Sequence, residues 1–382
     1  MADSALLNET ARVLKLVQAG TPADAALRET LGRTRHSSAP ALRRAVSRAV
    51  FAYFRWLRWL EPKQSLQKQA QAALDLQARF DRAPDSFKPE ALAARAVPDW
   101  LKSEMDVPPD WLRQLQREPI LWLRAKANDS LAGSSIAEHL VTVSLSDYRA
   151  ESSLTAGIYL GQRDLFLTDE FRDGRFEIQD LASQLVGHAC APQPGQTWWD
   201  ACAGEGGKTL HLSDLMQNKG LLWASDRSLR RLDHLKKRAS RAGAFNYRAA
   251  PWDGSAKLPT KTKFDGVLVD APCSGIGTWQ RNPHARWTTQ PSDIHELAAV
   301  QAKLLDHVAG SLKPGGRLVY AVCTLARAET TAIAEAFTAA HADFEPAPVF
   351  SSSQLSALSS QLFLHPHELN ANGMFIAAWR RK

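Results

Sequence analysis

The chain is poor in cysteine, with four in 382 residues: Cys190, Cys202, Cys273 and Cys323. None has a neighbour at disulfide-like or metal-ligand spacing. This excludes a disulfide-stapled secreted scaffold and predicts a reduced, cytoplasmic protein with no bound metal. Long apolar runs are also missing. No stretch approaches the ~20 residues needed to cross a bilayer, and the acidic, polar opening Met1-Ala-Asp-Ser-Ala-Leu-Leu-Asn-Glu-Thr10 is unlike a secretory signal. A membrane partner is therefore not expected. There is no internal repeat and no bias toward fibre or disorder. With 45% hydrophobic residues, the length allows two or three domains, each with its own core. Acid is the minority charge, 40 Asp and Glu against 47 Lys and Arg, for a net +7. That surplus favours a polyanionic partner without requiring one.

What is present falls into three parts. Residues 1–90 read as helical: over Ala41–Leu60 the apolar positions Leu42, Val46, Val50, Tyr53, Leu57 and Leu60 recur at helical spacing. Arg44, Arg48, Arg55 and Arg58 share another face, either a solvated face or a contact for RNA phosphates. Residues 61–95 read as a helix running into a linker around Lys88-Pro89. Residues 91–175 mix Trp- and Leu-rich pieces with β-like runs, Ile158–Leu160 and Leu165–Leu167, and are expected to form a small α+β module. From 176 to 382, β-prone runs alternate with helical stretches, the pattern of a parallel sheet with crossover helices. Candidate strands are Thr197–Ala203, Leu221–Asp226, Tyr247–Asp253, Phe264–Asp270 and Arg317–Cys323, with Met374–Arg380 closing an edge. Ser292–Leu312 is predicted as a helix capped by Ser292, with a stripe of Ile294, Leu297, Val300, Leu304, Val308 and Leu312. Lys313-Pro-Gly-Gly is expected to stop it.

In open α/β sheets, ligands bind beyond the carboxyl ends of the strands. Five successive predicted strands end in functional groups there: Asp200 with a glycine turn, Asp226, Asp253, Asp270 with Cys273, and Cys323. The turn, Asp200-Ala-Cys-Ala-Gly-Glu-Gly-Gly-Lys-Thr209, lets backbone approach a ligand and offers helix N-terminal amides to an anion. Alone it is equally a plain tight turn. Asp226, one strand on, stands where an acid takes two ribose hydroxyls, so the two together imply a nucleoside cofactor. Asp253 is placed for an adenine amino group, or is a solvated loop acid.

The fourth and fifth strands end in Asp270-Ala-Pro-Cys-Ser-Gly275 and Tyr320-Ala-Val-Cys-Thr-Leu325. A single strand-end cysteine is usually a small buried hydrophobe. Two at neighbouring ends suit one reaction. Carbon 5 of cytosine is a poor nucleophile, but thiolate attack on carbon 6 makes the ring an enamine whose carbon 5 takes a methyl group from a sulfonium. The adduct then loses the carbon 5 proton and expels the thiolate, which a second acid–base group assists. A carboxyl near ring nitrogen 3, suited to Asp270, stabilises charge built up in the attack, and the base must leave its stack to reach such a pocket.

These residues closely resemble the Nol/Nop/Sun (Sun/Fmu-type) family of RNA cytosine-5 methyltransferases. The resemblance runs from about residue 176 to the C-terminus. It includes Gly174…Gln179-Asp180, the glycine turn, both cysteine motifs, Arg281-Asn-Pro-His-Ala-Arg-Trp287 and Asn372-Gly-Met-Phe-Ile376. It implies a class I methyltransferase, α/β with a Rossmann-like, mostly parallel seven-stranded sheet. It further implies an N-terminal helical RNA-binding region, a small RNA-recognition-like module, and S-adenosyl-L-methionine as cofactor. Cys323 would be the nucleophile and Cys273 would assist release, with Asp270 and Lys208 beside them. Cys202, Ala203, Gly204, Glu205, Gly206, Gly207, Lys208, Asp226, Arg231, Asp253 and Asp270 would contact cofactor or target base. The partner would be RNA, ribosomal before transfer RNA, and the protein a monomer. Gly204-Glu205 departs from the family's usual Ala-Pro, which loosens the turn and puts a carboxylate beside the cofactor site. Thr324 replaces a more usual Ser.

Rival chemistries lack their marks. A DNA cytosine methyltransferase needs a Glu-Asn-Val segment, and amino-group methyltransferases place Pro-Pro-Tyr or similar after the Asp. An RNA-binding assembly factor without catalysis remains a different-class alternative. The basic run Arg227–Arg241, with Arg230, Arg231, Lys236, Lys237, Arg238 and Arg241, is either a solvated face or a guide for phosphates. Most of the twelve tryptophans read as core, and Trp287 as a possible stacking platform for RNA.

Overall fold

Helical periodicity at the N-terminus becomes four helices, α1 Ser4–Gln18, α2 Ala23–Arg33, α3 Pro40–Arg55 and α4 Leu66–Arg82. Asp3 caps α1 by accepting from Ala5 N, and Ser65 caps α4 by accepting from Lys68 N. The computed structural model describes residues 3–33, 40–126, 129, 131–144, 155–350 and 359–382. The chain forms two compact units, Met1–Pro119 with Thr278–Pro291, and Ile120–Gly277 with Ser292–Lys382. These bounds differ from those expected at 90 and 175. Short helices up to Gln114 continue the first unit, and the small sheet clusters with the large one.

In the first unit Val13, Leu14, Val46, Val50, Trp56 and Phe80 form a buried helical core. The basic face of α3 is not uniform. Arg44 and Arg48 are exposed, and Arg48 pairs with Glu118 at 2.9 Å. Arg55 is instead buried, because α4 covers that end of the helix and Gln77 accepts from it at 2.8 Å. Burial pulls its pKa down to about 10, so it is a structural group and no phosphate contact. Arg58 donates to the Val97 carbonyl at 3.1 Å. The expected linker is also ordered. Pro84–Ser86 forms a 3-10 turn, and Pro89 starts a helix, Pro89–Arg95, that buries Leu92. Proline at a first helical position initiates as readily as it breaks.

The Arg281–Trp287 motif lies in this unit. Fully buried Arg286 donates to the carbonyls of Ala96 and Leu115 at 2.9 and 3.0 Å. The Trp287 indole donates to Phe54 O at 2.6 Å, and the Arg58 guanidinium lies over its ring. Trp287, expected as a stacking platform for RNA, thus has its N–H and one ring face engaged within this unit.

The second unit holds two sheets. The strands β1 Leu121–Ala125, β2 Leu140–Ser144, β3 Thr155–Tyr159 and β4 Phe176–Ile178 form an antiparallel sheet in the order β2-β3-β1-β4. Leu165–Leu167, read as β-like, is a 3-10 turn, because the Asp164 side chain accepts from Phe166 N and holds the chain in a turn. The large sheet contains β5 Thr197–Asp200, β6 Leu221–Asp226, β7 Tyr247–Pro251, β8 Phe264–Asp270, β9 Leu312–Val322, β10 Phe344–Pro346, β11 Gln361–Leu364 and β12 Met374–Arg381. Its order is β10-β12-β9-β8-β5-β6-β7. The five strands from β7 to β9 are parallel, and β12 runs antiparallel to β9. The Rossmann-like architecture is as expected, with eight strands in place of seven. Both β10 and β11 pair with β12, against its C- and N-terminal halves.

Both faces of the large sheet are covered. Leu181, Leu185 and Val186 of helix Leu181–Cys190 pack on one, and Leu304, Leu305 and Val308 of helix Pro291–Ala309 on the other. This second helix corrects three readings. It starts at Pro291, so Ser292 lies in its first turn and is no cap. Val300 is exposed, and its neighbour Gln301 is buried. Leu312 and Lys313-Pro-Gly-Gly belong to β9 and do not precede it, and the pairing with β8 shifts register there. Among the described residues, no helix is long and apolar enough to cross a membrane.

Candidate active site

Five parallel strands align their carboxyl ends along one edge of the large sheet, and that alignment places the candidate residues. At the end of β5, Asp200 is completely buried and accepts from the Thr209 hydroxyl at 2.7 Å. Burial raises its pKa to about 7. The bond ties the two ends of the glycine turn together. Between them, Ala203 N donates to Ser225 O and Gly206 N to Ala203 O. Gly206 has φ +89°, and a Cβ there would lie 2.7 Å from Leu235 Cγ, so only glycine fits. Helix Gly207–Leu215 then begins with no side-chain cap on its first turn. Cys202 is half-buried and packs against the core beside Trp199.

Asp226, at the end of β6, accepts from Gly204 N at 3.0 Å and Ser228 N at 2.8 Å. It therefore braces the glycine turn from the next strand. Arg231 reaches to only 3.9 Å from it and is half-exposed. Asp253 is exposed just past β7 and accepts from Ser255 N at 3.0 Å. Glu205, the departure from the family pattern, sits half-exposed with its carboxylate 3.1 Å from His234 Nδ1.

Lys208, in the first turn of helix Gly207–Leu215, donates to Asp270 at the end of β8 at 2.8 Å. Burial works against the ammonium, but Asp270 outweighs it and holds the Lys208 pKa above its ordinary value. The two cysteines meet beside this pair. Cys273 Sγ and Cys323 Sγ are 3.3 Å apart, both half-buried and both free thiols. The arrangement is unsymmetrical. The hydrogen bond between the thiols holds the Cys323 pKa below its usual value, and the Lys208 ammonium acts in the same direction against burial. That same bond and burial push Cys273 well up. One sulfur is thus disposed to be a thiolate and its neighbour a thiol.

The structure brings together Cys323, Cys273, Asp270 and Lys208, and separately Gly204 and Asp226. It does not gather all the basic run Arg227–Arg241. Arg238 pairs with buried Glu177 at 2.8 Å, and Arg241 binds the same carboxylate. These two are structural, because a buried acid needs both of them. Arg230, Arg231 and Lys237 remain exposed.

Sequence reading missed a buried polar group behind the cysteines, formed by Gln301, Ser274, Thr324, Tyr320 and Glu329. Its one visible signal is a polar residue, Gln301, beside an apolar stripe. It also missed that Asp180 accepts from Asn372 N at 3.1 Å, joining two motifs 192 residues apart. Among the described residues there is no cluster of His, Cys, Asp or Glu arranged for a metal.

A family model described as 16S rRNA methyltransferase RsmB/F matches residues 188–380. A probable ribosomal RNA small subunit methyltransferase B of Bacillus subtilis is 36% identical over 222 residues, covering 56% of this chain and 50% of that protein. The mouse tRNA (cytosine(72)-C(5))-methyltransferase NSUN6 is 38% identical over 165 residues, 40% of this chain and 34% of that one. The chain spans about half the length of the curated relatives it matches first. The crystal structure of PH0851 superposes with a TM-score of 0.75 at 22% identity over 100% of this chain and 99% of that one, which shows a common fold.

Proposed function

Because this chain belongs to the RsmB/F family of 16S rRNA methyltransferases, we propose that it transfers a methyl group from S-adenosylmethionine to carbon 5 of a cytosine in ribosomal RNA. The observation that carries this reading is the 3.3 Å approach of two unequal thiols at the ends of adjacent strands. The glycine turn fits the cofactor. It offers uncapped helix amides to an anionic tail and a buried Asp226 to vicinal hydroxyls. When bound, S-adenosylmethionine supplies the electrophilic methyl group.

The residues divide the work as follows. Cys323, as thiolate, forms a bond from sulfur to carbon 6 of the target base, and the electron pair moves onto carbon 5. Asp270 and Lys208, paired at 2.8 Å, would supply a fixed donor and acceptor for the ring's developing charge. After carbon 5 is methylated, the sulfur–carbon 6 bond breaks with return of the electron pair to Cys323. Cys273, held as a thiol, passes its proton to the departing Cys323 sulfur and takes up the carbon 5 proton in its place, and the surplus proton then leaves Cys323 to solvent. Arg230, Arg231 and Lys237 form an exposed basic strip for phosphates. Glu205 is engaged by His234, which favours retained cofactor affinity. The protein acts as a monomer in the cytoplasm.

Tritiated-methyl transfer to bulk RNA tests the reading, with activity expected for the native chain and none for Cys323→Ala. Full activity of Cys323→Ala would refute the nucleophile, and an inert native chain would leave the assembly-factor reading. A second substrate reading, transfer RNA, draws on the similarity to the mouse tRNA enzyme. Bisulfite sequencing of total RNA from a deletion strain separates the two.

A further inference from the structure

Behind the thiols lies a buried carboxylate that the chemistry above does not use. Glu329 is completely buried, six residues beyond Cys323. Burial raises its pKa, yet its oxygens collect three donors. Oε1 accepts from the Ser274 backbone N–H at 2.9 Å and from Gln301 Nε2 at 3.0 Å. The Ser274 hydroxyl donates to Oε2 at 2.5 Å and lies 2.9 Å from the Thr324 hydroxyl.

The identities of those donors are informative. Ser274 follows Cys273, and Thr324 follows Cys323. Gln301 meanwhile donates to the carbonyl of Pro272, the residue before Cys273, at 2.9 Å. Tyr320 closes the group, its hydroxyl 2.9 Å from Gln301 Oε1 and 2.7 Å from the Glu329 carbonyl. The Cys273 loop is therefore held on both sides of the cysteine, and the Cys323 strand end is joined to the same group through the contact of the Thr324 and Ser274 hydroxyls. We propose that Glu329 is a positioning residue that clamps the two cysteine loops together and so sets the distance between the thiols. It touches no reacting atom. A buried carboxylate with three donors keeps its partners in place, because each would otherwise face a dry interior unpaired.

The inference rests on the roles given to Cys323 and Cys273, so its test includes a readout that does not need catalysis. Glu329→Gln keeps the shape but turns one acceptor into a donor facing donors. Ser274→Ala removes one hydroxyl, leaves the backbone bond, and guards against a variant that fails to fold. Displacing reacting groups by ~1 Å costs on the order of 100-fold in rate. For Glu329→Gln the expectation is a fall in kcat of about 10- to 100-fold per folded molecule, with KM for donor and RNA nearly unchanged, and for Ser274→Ala a several-fold fall. The second readout is the rate at which diamide joins Cys273 to Cys323, each thiol passing one hydrogen to the diazene, which becomes the hydrazine. This reports thiol proximity directly, and both variants are expected to slow it.

Wild-type kcat and oxidation rate in both variants would overturn the proposal. So would losses explained wholly by the unfolded fraction in a thermal melt. If Cys323→Ala proves fully active, the nucleophile assignment fails on its own, and the oxidation rates still decide whether Glu329 sets the thiol distance.

Discussion

Replacing Asp200 by Asn should change how stability depends on pH, by an amount that follows from its burial. Asp200 is fully enclosed, and its pKa stands at about 7 against 3.8 in an exposed chain. Between those values the folded protein holds a proton that the unfolded chain has lost, so stability falls as pH rises through the window and levels off above about 7. At ~1.4 kcal/mol per unit the full swing is about 4 kcal/mol, and about 2–3 kcal/mol of it falls between pH 5 and 8. Relaxation around the ionised carboxylate lowers these figures, which are upper values. Asn keeps an oxygen for the Thr209 hydroxyl but has no proton to lose. Urea unfolding of both proteins, followed by the fluorescence of buried Trp198 and Trp199, should show the variant gaining on the wild type by about 1–3 kcal/mol from pH 5 to pH 8. Other groups titrate equally in both and cancel. Parallel profiles would show that Asp200 ionises normally and that its burial carries no such electrostatic cost.

Cys273→Ala should attack but release slowly, so enzyme covalently joined to RNA should accumulate on denaturing gels, and a fully active, adduct-free variant would remove its role. Gly206→Ala meets Leu235 at 2.7 Å and retains a positive φ. It should lose about 1–3 kcal/mol of stability together with donor affinity by calorimetry, and unchanged binding would show that the turn is not the cofactor cradle. Glu177→Ala leaves Arg238 and Arg241 without their shared acid, a loss of about 3–5 kcal/mol that a thermal melt would register. Reversing the exposed Arg230 and Lys237 to Glu should weaken RNA binding and flatten its salt dependence without altering the melt, and an unchanged salt slope would take phosphates away from this face.

Much of the α/β part was legible because parallel strands buried on both faces read as unbroken apolar runs. β6 and β8 fall at the predicted residues, and Asp226 and Asp270 end them as expected. Where the reading slipped, local rules met tertiary demands. Lys313-Pro-Gly-Gly looks like a stop, yet it enters β9, where an irregular pairing with β8 accommodates it. Arg55 sits in the same helical register as Arg44 and Arg48, and only the packing of α4 decides that it is buried. Periodicity specifies which residues share a face, but not which part of that face another element will cover.

The site shows the same division at higher stakes. Its reactive groups were legible because topology gathers strand ends, and position in the sequence tells which residue ends a strand. The side chains holding those groups were not. Glu329 and Gln301 lie on a 3-10 turn and a helix with no chemistry of their own, and their meaning depends on a hydrogen-bond pattern that exists only after folding. A thiol pair 3.3 Å apart cannot be maintained by the two strand ends alone, because each cysteine lies just past its last sheet residue, Asp270 and Val322. Beyond those residues the ladder ends, and the spacing is set by one backbone bond, from Gly277 N to Cys323 O at 3.0 Å, together with the side-chain bonds around Glu329. Accuracy at this site therefore comes from polar groups buried behind it, and these are the residues a motif cannot reveal.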